Sequence, residues 1–600
     1  MKGKCTSSSS TITFINTVAF LSLLSFSLFF LSKHFSARTT SPAEQLYFFN
    51  STHTNTAPSP SAAGPVLEST GIINEFGIMT SDFMVGNFDE GLLQSVAAIS
   101  NGEKVKREND EGEVIRVERF RVCDVNMSDF VPSVSKGLDC LVPRPKGYKL
   151  PMPWPESRDQ VWFDNIHYTP EDNEGRNRVS KKDDKLMFSG DGPKSDQNLD
   201  QMVPEIAFGQ RTRVVLDVIG SGIANFGAYL MERNVTTLLI AGKDHAKQVQ
   251  LALERGIPAM VTTFGTRRLP FPSQAFDLIR CSRCGMNWAL DDGVLLLEAN
   301  RFLRGGGYFV WEAEAIYKYE GKLGEQWREM EDLTRNLCWE LVTKEGYIAI
   351  WQKPLNNSCY LDRDPNVQPS LCDNHDNPDD LWHVNTKKCI ARLPENGNGA
   401  NVTKWPARLH SLPGRLFSIK TDSGVSRKQL YRADSIYCNA IVDGYVSVFK
   451  INEAKIRNVM DMRAGYGWFA AALLESGANS WVMNVVPVSG PNTLPVIYDR
   501  GLIGVMHDWC EPFDTYPRTY DLLNAAGLFS VEQRRCNVRS IMVEMDRILR
   551  PEGRVYIRDT TAVIYELREI AETMGWMAHM FDTEEGPYSD WKLLICTKPV

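Results

Sequence analysis

The chain has 600 residues, of which 43% are hydrophobic and 23% charged, and its formal net charge is −8. This length and apolar content can bury a large core and predict several domains rather than one. The acidic balance argues against a general nucleic-acid binder, which is normally basic, but it leaves room for a local basic groove that binds an acidic polymer.

An uncharged apolar segment near the start of the chain, residues 12–32, is long enough to cross a bilayer as a helix. A cleaved signal peptide would also be apolar, but this segment is longer than a signal-peptide core and no small-x-small cleavage site follows it. We therefore expect a signal anchor, with residues 1–11 in the cytosol and everything after Lys33 in a lumen. Positive charges on both sides of the segment weaken the orientation signal.

Sequons and cysteines agree with a lumenal body. Asn50, Asn126, Asn356 and Asn401 are glycosylation candidates, whereas the sequon at Asn234 lies between two predicted core elements. Of the 13 cysteines, one lies in the expected cytosolic tail, which leaves an even number in an oxidising compartment.

Several cysteines lie in loop-rich stretches and are disulfide candidates: Cys123, Cys140, Cys359, Cys372 and Cys389. The pair Cys281 and Cys284 has CxxC spacing, but no second pair follows at zinc-site spacing. We expect buried thiols or a local disulfide there, and we predict no metal site.

Two segments precede the regular part of the chain. Residues 33–113 are rich in Ser, Thr, Asn, Ala and Gly, which predicts a lumenal stem. Residues 114–200 combine prolines with aromatic and basic residues such as Trp154, Arg158 and Trp162. Prolines preclude a regular helix, so this segment is either a substrate-lining lid or, as we prefer, an extended strap packed over the first domain.

Residues 201–355 alternate between predicted strands and helices. Strands are expected at 214–218, 237–241, 259–262, 277–281 and 308–312, with a closing pair at 340–343 and 347–352, and helices at 247–255 and 293–303. The first strand ends at Asp217 and passes directly into Gly220 and Gly222, a pattern that allows a ligand close to the backbone at a helix start. Asp244 follows the second strand, where an acid can bind ribose hydroxyls.

Residues 356–450 lack this alternation and are interpreted as an inter-domain insert with three cysteines. Residues 451–600 then repeat the plan of the first unit. Asp461 follows Asp217, and Asp521 follows Asp277, by the same 244 residues, and other landmarks keep nearly that offset. We therefore predict an α/β fold with two tandem Rossmann-like domains.

Four stretches carry a resemblance to a known family: "ALERGIP", "GTRRLPFPSQAFDL", "NVVPVSGPNTLPVIYDRGLIGVMHDW" and "EMDRILRPEG". They resemble the plant Golgi methyltransferases related to the QUASIMODO proteins, over about residues 118–600. The resemblance implies class I methyltransferase domains, the cofactor S-adenosyl-L-methionine, a type II protein of the Golgi membrane, and methyl-esterification of the pectic polysaccharide homogalacturonan in cell-wall synthesis. A complex with Golgi glycosyltransferases is a further expectation, and the acidic net charge predicts no nucleic-acid partner.

The resemblance also assigns site residues. In the first unit the cofactor candidates are Asp217, Gly220, Gly222, Asp244, Leu269 and Asp277, and in the second they are Asp461, Gly465 and Gly467. Apart from the resemblance, Arg267 and Arg268 lie in the loop before the strand of Asp277, where they either bind the acidic acceptor or only cap the loop.

Both glycine loops depart from the family pattern. The first inserts one residue between Asp217 and Gly222, and the second has Arg463 where a glycine is usual and Asn524 where relatives have histidine. The first unit is nevertheless the better cofactor site by its ribose-type acid. The second is expected to be a degenerate partner that completes the acceptor groove, with cofactor binding of its own as the alternative.

The acceptor decides whether a general base is needed. A galacturonate carboxylate is ionised near neutral pH and needs none, because carboxyl groups titrate around pH ~4. A sugar hydroxyl would need a base, for which His507 with Asp508 is the candidate pair, although a structural histidine is the commoner case. A scaffold without catalysis is the third alternative.

Overall fold

The computed structural model describes residues 120–131, 137–149, 154–166, 179–188, 199–219, 222–312, 321–419, 426–451, 455–583 and 590–600. The expected anchor, the stem, Asn50 and Gly220 lie outside these residues. Within the described part, no helix combines the length and the apolar character needed to span a bilayer.

The first unit is a seven-stranded sheet with the order β6-β5-β4-β7-β8-β10-β9. Its strands are β4 (Val214–Ile219), β5 (Thr236–Ala241), β6 (Ala259–Val261), β7 (Phe276–Ser282), β8 (Leu303–Glu312), β9 (Glu340–Glu345) and β10 (Ile348–Gln352). The first five are parallel, and β10 runs antiparallel to both β8 and β9. All six residues of β4 are buried, as expected for a central parallel strand covered on both faces. The predicted strands are confirmed, although β8 begins earlier than expected.

The second unit repeats this sheet with the order β13-β12-β11-β14-β15-β17-β16. Its strands are β11 (Asn458–Asp461), β12 (Trp481–Pro487), β13 (Gly504–His507), β14 (Tyr520–Ala526), β15 (Leu549–Thr560), β16 (Met577–Asp582) and β17 (Trp591–Thr597). Again the first five strands are parallel, and β17 runs antiparallel to both β15 and β16. The predicted tandem is therefore present strand for strand.

Helices cover both sheets. They are α1 (Phe163–Ile166), α2 (Asn225–Met231), α3 (Ala246–Glu254), α4 (Leu290–Phe302), α5 (Lys322–Asn336), α6 (Ser358–Asp362), α7 (Arg427–Phe449), α8 (Trp468–Glu475), α9 (Leu494–Asp499), α10 (Phe529–Glu532), α11 (Val538–Ile548) and α12 (Thr561–Thr573). The predicted helices at 247–255 and 293–303 correspond to α3 and α4.

The duplication extends to individual hydrogen bonds. Glu298 accepts the backbone N–H of Leu269 at 2.8 Å and pairs with Arg301 at 2.6 Å. In the second unit Glu544 accepts a backbone N–H at 2.8 Å and pairs with Arg547 at 2.7 Å. Each glutamate thus anchors the loop before the fourth strand of its own unit to the helix that follows.

The two units meet through reciprocal ion pairs. Arg304 of the first unit lies 3.0 Å from Asp499 of the second, and Arg550 of the second lies 3.3 Å from Glu254 of the first. All four side chains are buried. Reciprocal contacts of this kind are the mark of an isologous interface, here made within one chain.

The segment before the first unit contacts both units. Strands β1 (Gln160–Trp162), β2 (Val179–Lys182) and β3 (Lys185–Phe188) form a small antiparallel sheet, and Val161 packs with Leu251 of α3. The indole N–H of Trp154 donates to the carboxylate of Asp521 in the second unit at 3.1 Å. The expected strap therefore packs on the second unit as well as on the first.

The segment 356–450 differs from its interpretation as an insert without regular elements. It ends in α7, a helix of 23 residues that packs against α8 of the second unit. Apolar residues at helical spacing, Leu430, Tyr437, Ile441 and Tyr445, are buried there. This helix belongs to the second unit because its buried face completes that unit's core.

Ten cysteines form disulfides: Cys123–Cys140, Cys281–Cys284, Cys338–Cys359, Cys372–Cys389 and Cys510–Cys536. Every candidate from the sequence is paired, and the CxxC pair is a local disulfide. Cys438 and Cys596 are free thiols.

Candidate functional site

A cleft opens at the carboxyl ends of β11, β12 and β14, the edge of a parallel sheet where ligands bind. Asp461 ends β11, Asp434 and Cys438 reach the cleft from one face of α7, and Phe469 closes it from α8. The cleft is narrow, with an internal volume of about 70 Å³.

Two carboxylates share this cleft. Asp461 accepts a hydrogen bond from the Asn524 amide at 3.0 Å. Burial raises the pKa of Asp461 to about 7, and that of Asp434 also to about 7, with the charge of Asp461 adding to the second effect. Arg500 and Arg463 oppose these shifts only in part. A cationic ligand would therefore be stabilised between the two acids.

The glycine turn that follows β11 has the geometry that a helix start requires. Gly465 and Gly467 have φ of +49° and +75°, and α8 begins immediately afterwards. A Cβ on Gly467 would lie 3.1 Å from Leu502 and 3.3 Å from Ile497, so a larger residue would crowd the core as well as strain the backbone. Gly465 lines the cleft beside Asp461.

The equivalent positions of the first unit are occupied by an ion-pair chain. Asp217, at the end of β4, lies 3.4 Å from Arg280 of β7, and Arg280 also pairs with Glu312 of β8. The Arg280 guanidinium lies 4.3 Å from the centre of the Phe226 ring. Burial raises the pKa of Asp217 to about 6, while Arg280 opposes the shift. The acid of the first unit thus already has a cationic partner from the protein.

The remaining first-unit candidates divide into two groups. Gly222 and Asp244 are exposed near the carboxyl ends of β4 and β5, where a cofactor contact stays a prediction. For Asp277 the structure corrects the prediction of a cofactor contact. It lies at the opposite end of the sheet, where it accepts the N–H groups of Arg213 and Val214 at 2.9 Å.

Ion pairs explain the position of Asp277. Its carboxylate also binds Arg304 and Arg408 at 2.7 and 2.8 Å. Although burial opposes it, these arginines hold the pKa of Asp277 at about 2, as expected for a structural ion pair. Leu269 is a second correction, because its side chain is buried in the core, its N–H binds Glu298 and its carbonyl accepts from Arg301.

The acceptor candidates behave differently from each other. Arg268 is buried and holds Asp376 at 3.1 Å together with two backbone carbonyls, so it is a structural residue and not a free cation for the acceptor. Arg267 is exposed and contacts the His383 ring. Acceptor binding by Arg267 stays a prediction.

The structure also corrects the prediction that His507 and Asp508 act together as a general base. His507 is buried beside Trp382, Trp509 and Phe513, and its Nε2 lies 3.0 Å from the carbonyl of Glu511. Burial lowers the pKa of His507 to about 4, so it is neutral at physiological pH.

Asp508 does not support this histidine. Its carboxylate pairs with Arg535 at 2.8 Å, and although burial opposes the shift, that hydrogen bond lowers its pKa. The two neighbours in sequence thus have separate partners, and neither lines the cleft of Asp434 and Asp461.

Sequence reasoning missed the contribution of α7. Asp434 lies in the segment interpreted as an insert, and nothing local marks an acid on an otherwise apolar helix face as part of a site. The spacing of Leu430, Tyr437, Ile441 and Tyr445 was the available signal for the helix itself.

Two mainly parallel sheets, each with an acid near the carboxyl end of its first strand and an antiparallel pair at its far edge, define a tandem class I methyltransferase fold. The family model described as "Putative S-adenosyl-L-methionine-dependent methyltransferase" matches residues 109–598. The chain therefore belongs to this family of methyltransferases, and its cofactor is S-adenosyl-L-methionine.

Two Arabidopsis thaliana proteins are similar over most of their length. "Probable methyltransferase PMT12" is 52% identical over 582 residues, covering 90% of this chain and 85% of the relative. "Probable methyltransferase PMT11" is 52% identical over 570 residues, covering 89% and 82%. Among solved structures, the Haemonchus contortus phosphoethanolamine N-methyltransferase 2 complex with S-adenosyl-L-methionine is 12% identical, covers 68% of this chain and 100% of that chain, and has a TM-score of 0.22.

Proposed function

We propose that this chain methyl-esterifies galacturonate carboxylates of pectic homogalacturonan in the Golgi lumen, and that the methyl donor binds in the second unit. The observation that carries the donor assignment is the cleft of Asp434 and Asp461, two buried acids whose raised pKa values reflect the lack of a full cationic partner. This reverses the sequence expectation, which preferred the first unit.

The chemistry of the cleft fits the donor. S-adenosyl-L-methionine carries a sulfonium and an ammonium cation, and when bound it supplies an electrophilic methyl group. Asp434 and Asp461 would stabilise these cations, while Ile441, Phe469 and Val531 exclude water from the cleft. Because the cleft is narrow, we expect the partly exposed loop 488–492 to move outward when the donor enters.

A carboxylate acceptor, which needs no general base, agrees with the environment of the candidate base. His507 is buried, neutral and bonded elsewhere, so the hydroxyl alternative loses the residue on which it depended. A galacturonate carboxylate needs only to be held in line with the methyl group, and positioning of this kind supplies much of the rate of a displacement.

Two sets of residues support the lumenal location. Disulfides join ten cysteines, and such bonds persist in oxidising compartments. The sequon residues Asn126, Asn356 and Asn401 are exposed, as glycosylation requires. Anchoring through residues 12–32 and assembly with Golgi glycosyltransferases are parts of the same proposal.

Methyl transfer can be measured with the full-length chain, S-adenosyl-L-methionine labelled in its methyl group, and de-esterified homogalacturonan. We expect label in the polymer that mild alkali releases as methanol, because only an ester is cleaved in this way. Fully esterified polymer is the matched control and should accept little label. Label that resists alkali would indicate hydroxyl methylation, and donor binding without any transfer would refute the proposed acceptor.

A further inference from the structure

A second and larger cavity lies between the two units, away from the donor cleft. Its volume is about 560 Å³, within the range of small-molecule sites. It is lined by residues 156–159 of the strap, by α2 and the start of β5, and by α8 and the start of β12. Because the starts of β5 and β12 are the amino ends of parallel strands, this cavity lies at the opposite edge of the sheets from Asp461.

Arg158 and Arg213 form no ion pair with an acid among the described residues, although the charge of Asp277 acts on Arg213. Arg213 donates to the carbonyl of Gly501 at 3.2 Å and to that of Asn234, and Arg158 donates to the carbonyl of Gly256 and the side chain of Asn479. Burial lowers the pKa of Arg213 to about 9 and that of Arg158 to about 10, yet both remain cationic at neutral pH. A desolvated cation without a counter-charge favours an anionic ligand.

The third arginine of the cavity, in contrast, has an acidic partner. Arg255 pairs with Asp159 at 2.9 Å and also donates to the Asn225 side-chain oxygen at 2.7 Å. Its charge is therefore balanced inside the protein. Arg158 and Arg213 make no such ion pair, although the carboxylates of Glu156 and Glu232 also line the cavity.

Other lining groups lack hydrogen-bond partners or present flat apolar faces. Asn225 is buried, with 8% of its surface exposed, and its Nδ2 atom has no hydrogen-bond partner. The buried Oγ atom of Ser480 has no hydrogen-bond partner either. Buried polar groups normally find a partner, so these two atoms point to ligand oxygens or hydroxyls. Trp405 and Trp481 also line the cavity, with the Arg213 guanidinium 3.8 Å from the Trp405 ring centre.

We infer that this cavity binds an acidic sugar, with a uronate carboxylate at Arg158 and Arg213 and sugar hydroxyls at Asn225 and Ser480. An inorganic anion would satisfy the arginines but leave most of the volume and both polar groups unused. The choice of a uronate rests on the proposed function, and the cavity is then a second contact for the polymer. Helix α8 lies between the two sites, because Phe469 lines the donor cleft while Ala470 and Leu474 line this cavity.

The test is a titration of the full-length chain with trigalacturonate in the absence of donor, followed by calorimetry. Neutral galactotriose and inorganic phosphate are the comparison ligands. We expect trigalacturonate alone to bind, and Arg158→Gln to weaken its binding at least 10-fold. Arg335→Gln, which removes an exposed arginine of α5, is the matched control and should leave the affinity unchanged.

A second variant guards against misfolding of Arg158→Gln. Asn479 is exposed at the cavity, and Asn479→Trp should block trigalacturonate while donor binding stays intact. Phosphate binding as tight as trigalacturonate, or unchanged affinity in both variants, would overturn the inference. Failure of methyl transfer alongside arginine-dependent trigalacturonate binding would refute the proposed reaction and leave this site standing.

Discussion

At the scale of single residues, the donor cleft depends on two acids that the chain buries together. Asp434 comes from α7 and Asp461 from β11, and the charge of Asp461 helps to raise the pKa of Asp434. Two coupled carboxylates of this kind titrate as a pair. A cationic donor would relieve their repulsion, which makes ligand binding and proton release parts of one equilibrium.

Donor affinity should therefore depend on pH. Since both pKa values are about 7 without ligand, the acids are largely protonated below that pH, and the affinity for S-adenosyl-L-methionine should rise from pH 6 to pH 8 and then level off. Asp434→Asn should weaken donor binding roughly 10- to 100-fold at pH 8, because a hydrogen bond to a charged group contributes about 1.5–3 kcal/mol. The same substitution should flatten the pH dependence of the affinity. Calorimetry across this range measures both effects. A variant with unchanged affinity and pH profile would exclude Asp434 from the site.

Asp434→Asn should also change the pH dependence of stability. The folded-state pKa of Asp434 is raised, so the wild type loses stability from this residue as the pH rises from about 4 through about 7. The difference in thermal midpoint between variant and wild type, measured without donor, should therefore shift in favour of the variant as the pH rises. A difference that stays constant from pH 4 to pH 8 would contradict the raised pKa.

At the scale of elements, equivalent strands of the two units carry different charges across the same edge. In the first unit β4, β7 and β8 supply Asp217, Arg280 and Glu312, which pair with one another. In the second, the equivalent strand ends supply Asp461, Asn524 and Arg558. The exchange of Arg280 for Asn524 replaces the arginine that pairs with the first-unit acid by an amide that donates to Asp461. The duplicated fold therefore presents an ion-pair chain in one copy and, in the other, a cleft in which Asp434 and Asp461 lie with Arg463 and Arg558.

Transferring the first unit's arginine to the second should close the donor site. Asn524→Arg would set a guanidinium beside Asp461, as Arg280 lies beside Asp217, and compete with the cationic donor. We expect donor affinity to fall more than 10-fold, measured by calorimetry. Asn366→Arg, at an exposed loop position, is the control and should bind the donor as the wild type does. Unchanged binding in Asn524→Arg would move the donor site away from the second unit.

The contribution of α7 to the second core can be tested on the helix itself. Ile441 is 6% exposed and lines the donor cleft, whereas Ile436 on the same helix is 36% exposed. Ile441→Ala should lower the free energy of unfolding by about 2–5 kcal/mol, because it leaves a cavity. Ile436→Ala should change it by about 0.5 kcal/mol or less. Equal effects in thermal denaturation would show that α7 does not complete this core.

At the scale of the whole molecule, two glycines lie at close contacts between the units. Gly501 follows α9 and faces Arg213 of the first unit, and Gly256 follows α3 and faces Arg457 of the second. A Cβ would lie 2.8 Å from Arg213 at the first position and 2.6 Å from Arg457 at the second. The same helix ending therefore serves as a contact point in both copies.

Gly501→Ala should destabilise the interface beyond its local strain. Gly477 has a similar φ of +79° and also follows a helix, but a Cβ at this position would meet nothing within 4 Å. Gly477→Ala therefore measures the backbone strain alone, about 1–2 kcal/mol. Gly501→Ala should cost a further ~1–3 kcal/mol from overpacking. Differential scanning calorimetry of the two variants provides the comparison, and equal thermal midpoints would mean that the units do not pack as described.

The sequence by itself determined the features that depend on local pattern. Apolar runs, the glycine turns after Asp217 and Asp461, and the constant offset between the halves predicted both sheets. The loop-rich surroundings of several cysteines identified residues that pair. These features follow from neighbouring residues, because strand burial and turn conformation act over short stretches of chain.

Only the tertiary structure decided which polar groups meet. Asp277 lies in a family motif and was one of the cofactor candidates. In the folded chain, however, its carboxylate binds arginines at the amino ends of the strands. Asp434 enters the proposed donor site because α7 packs across the second sheet, whereas Asp217 pairs with Arg280 on the adjacent strand. The physical reason is that the environment of a buried charge is set by partners distant in sequence, and it is this environment that separates a structural ion pair from a ligand site.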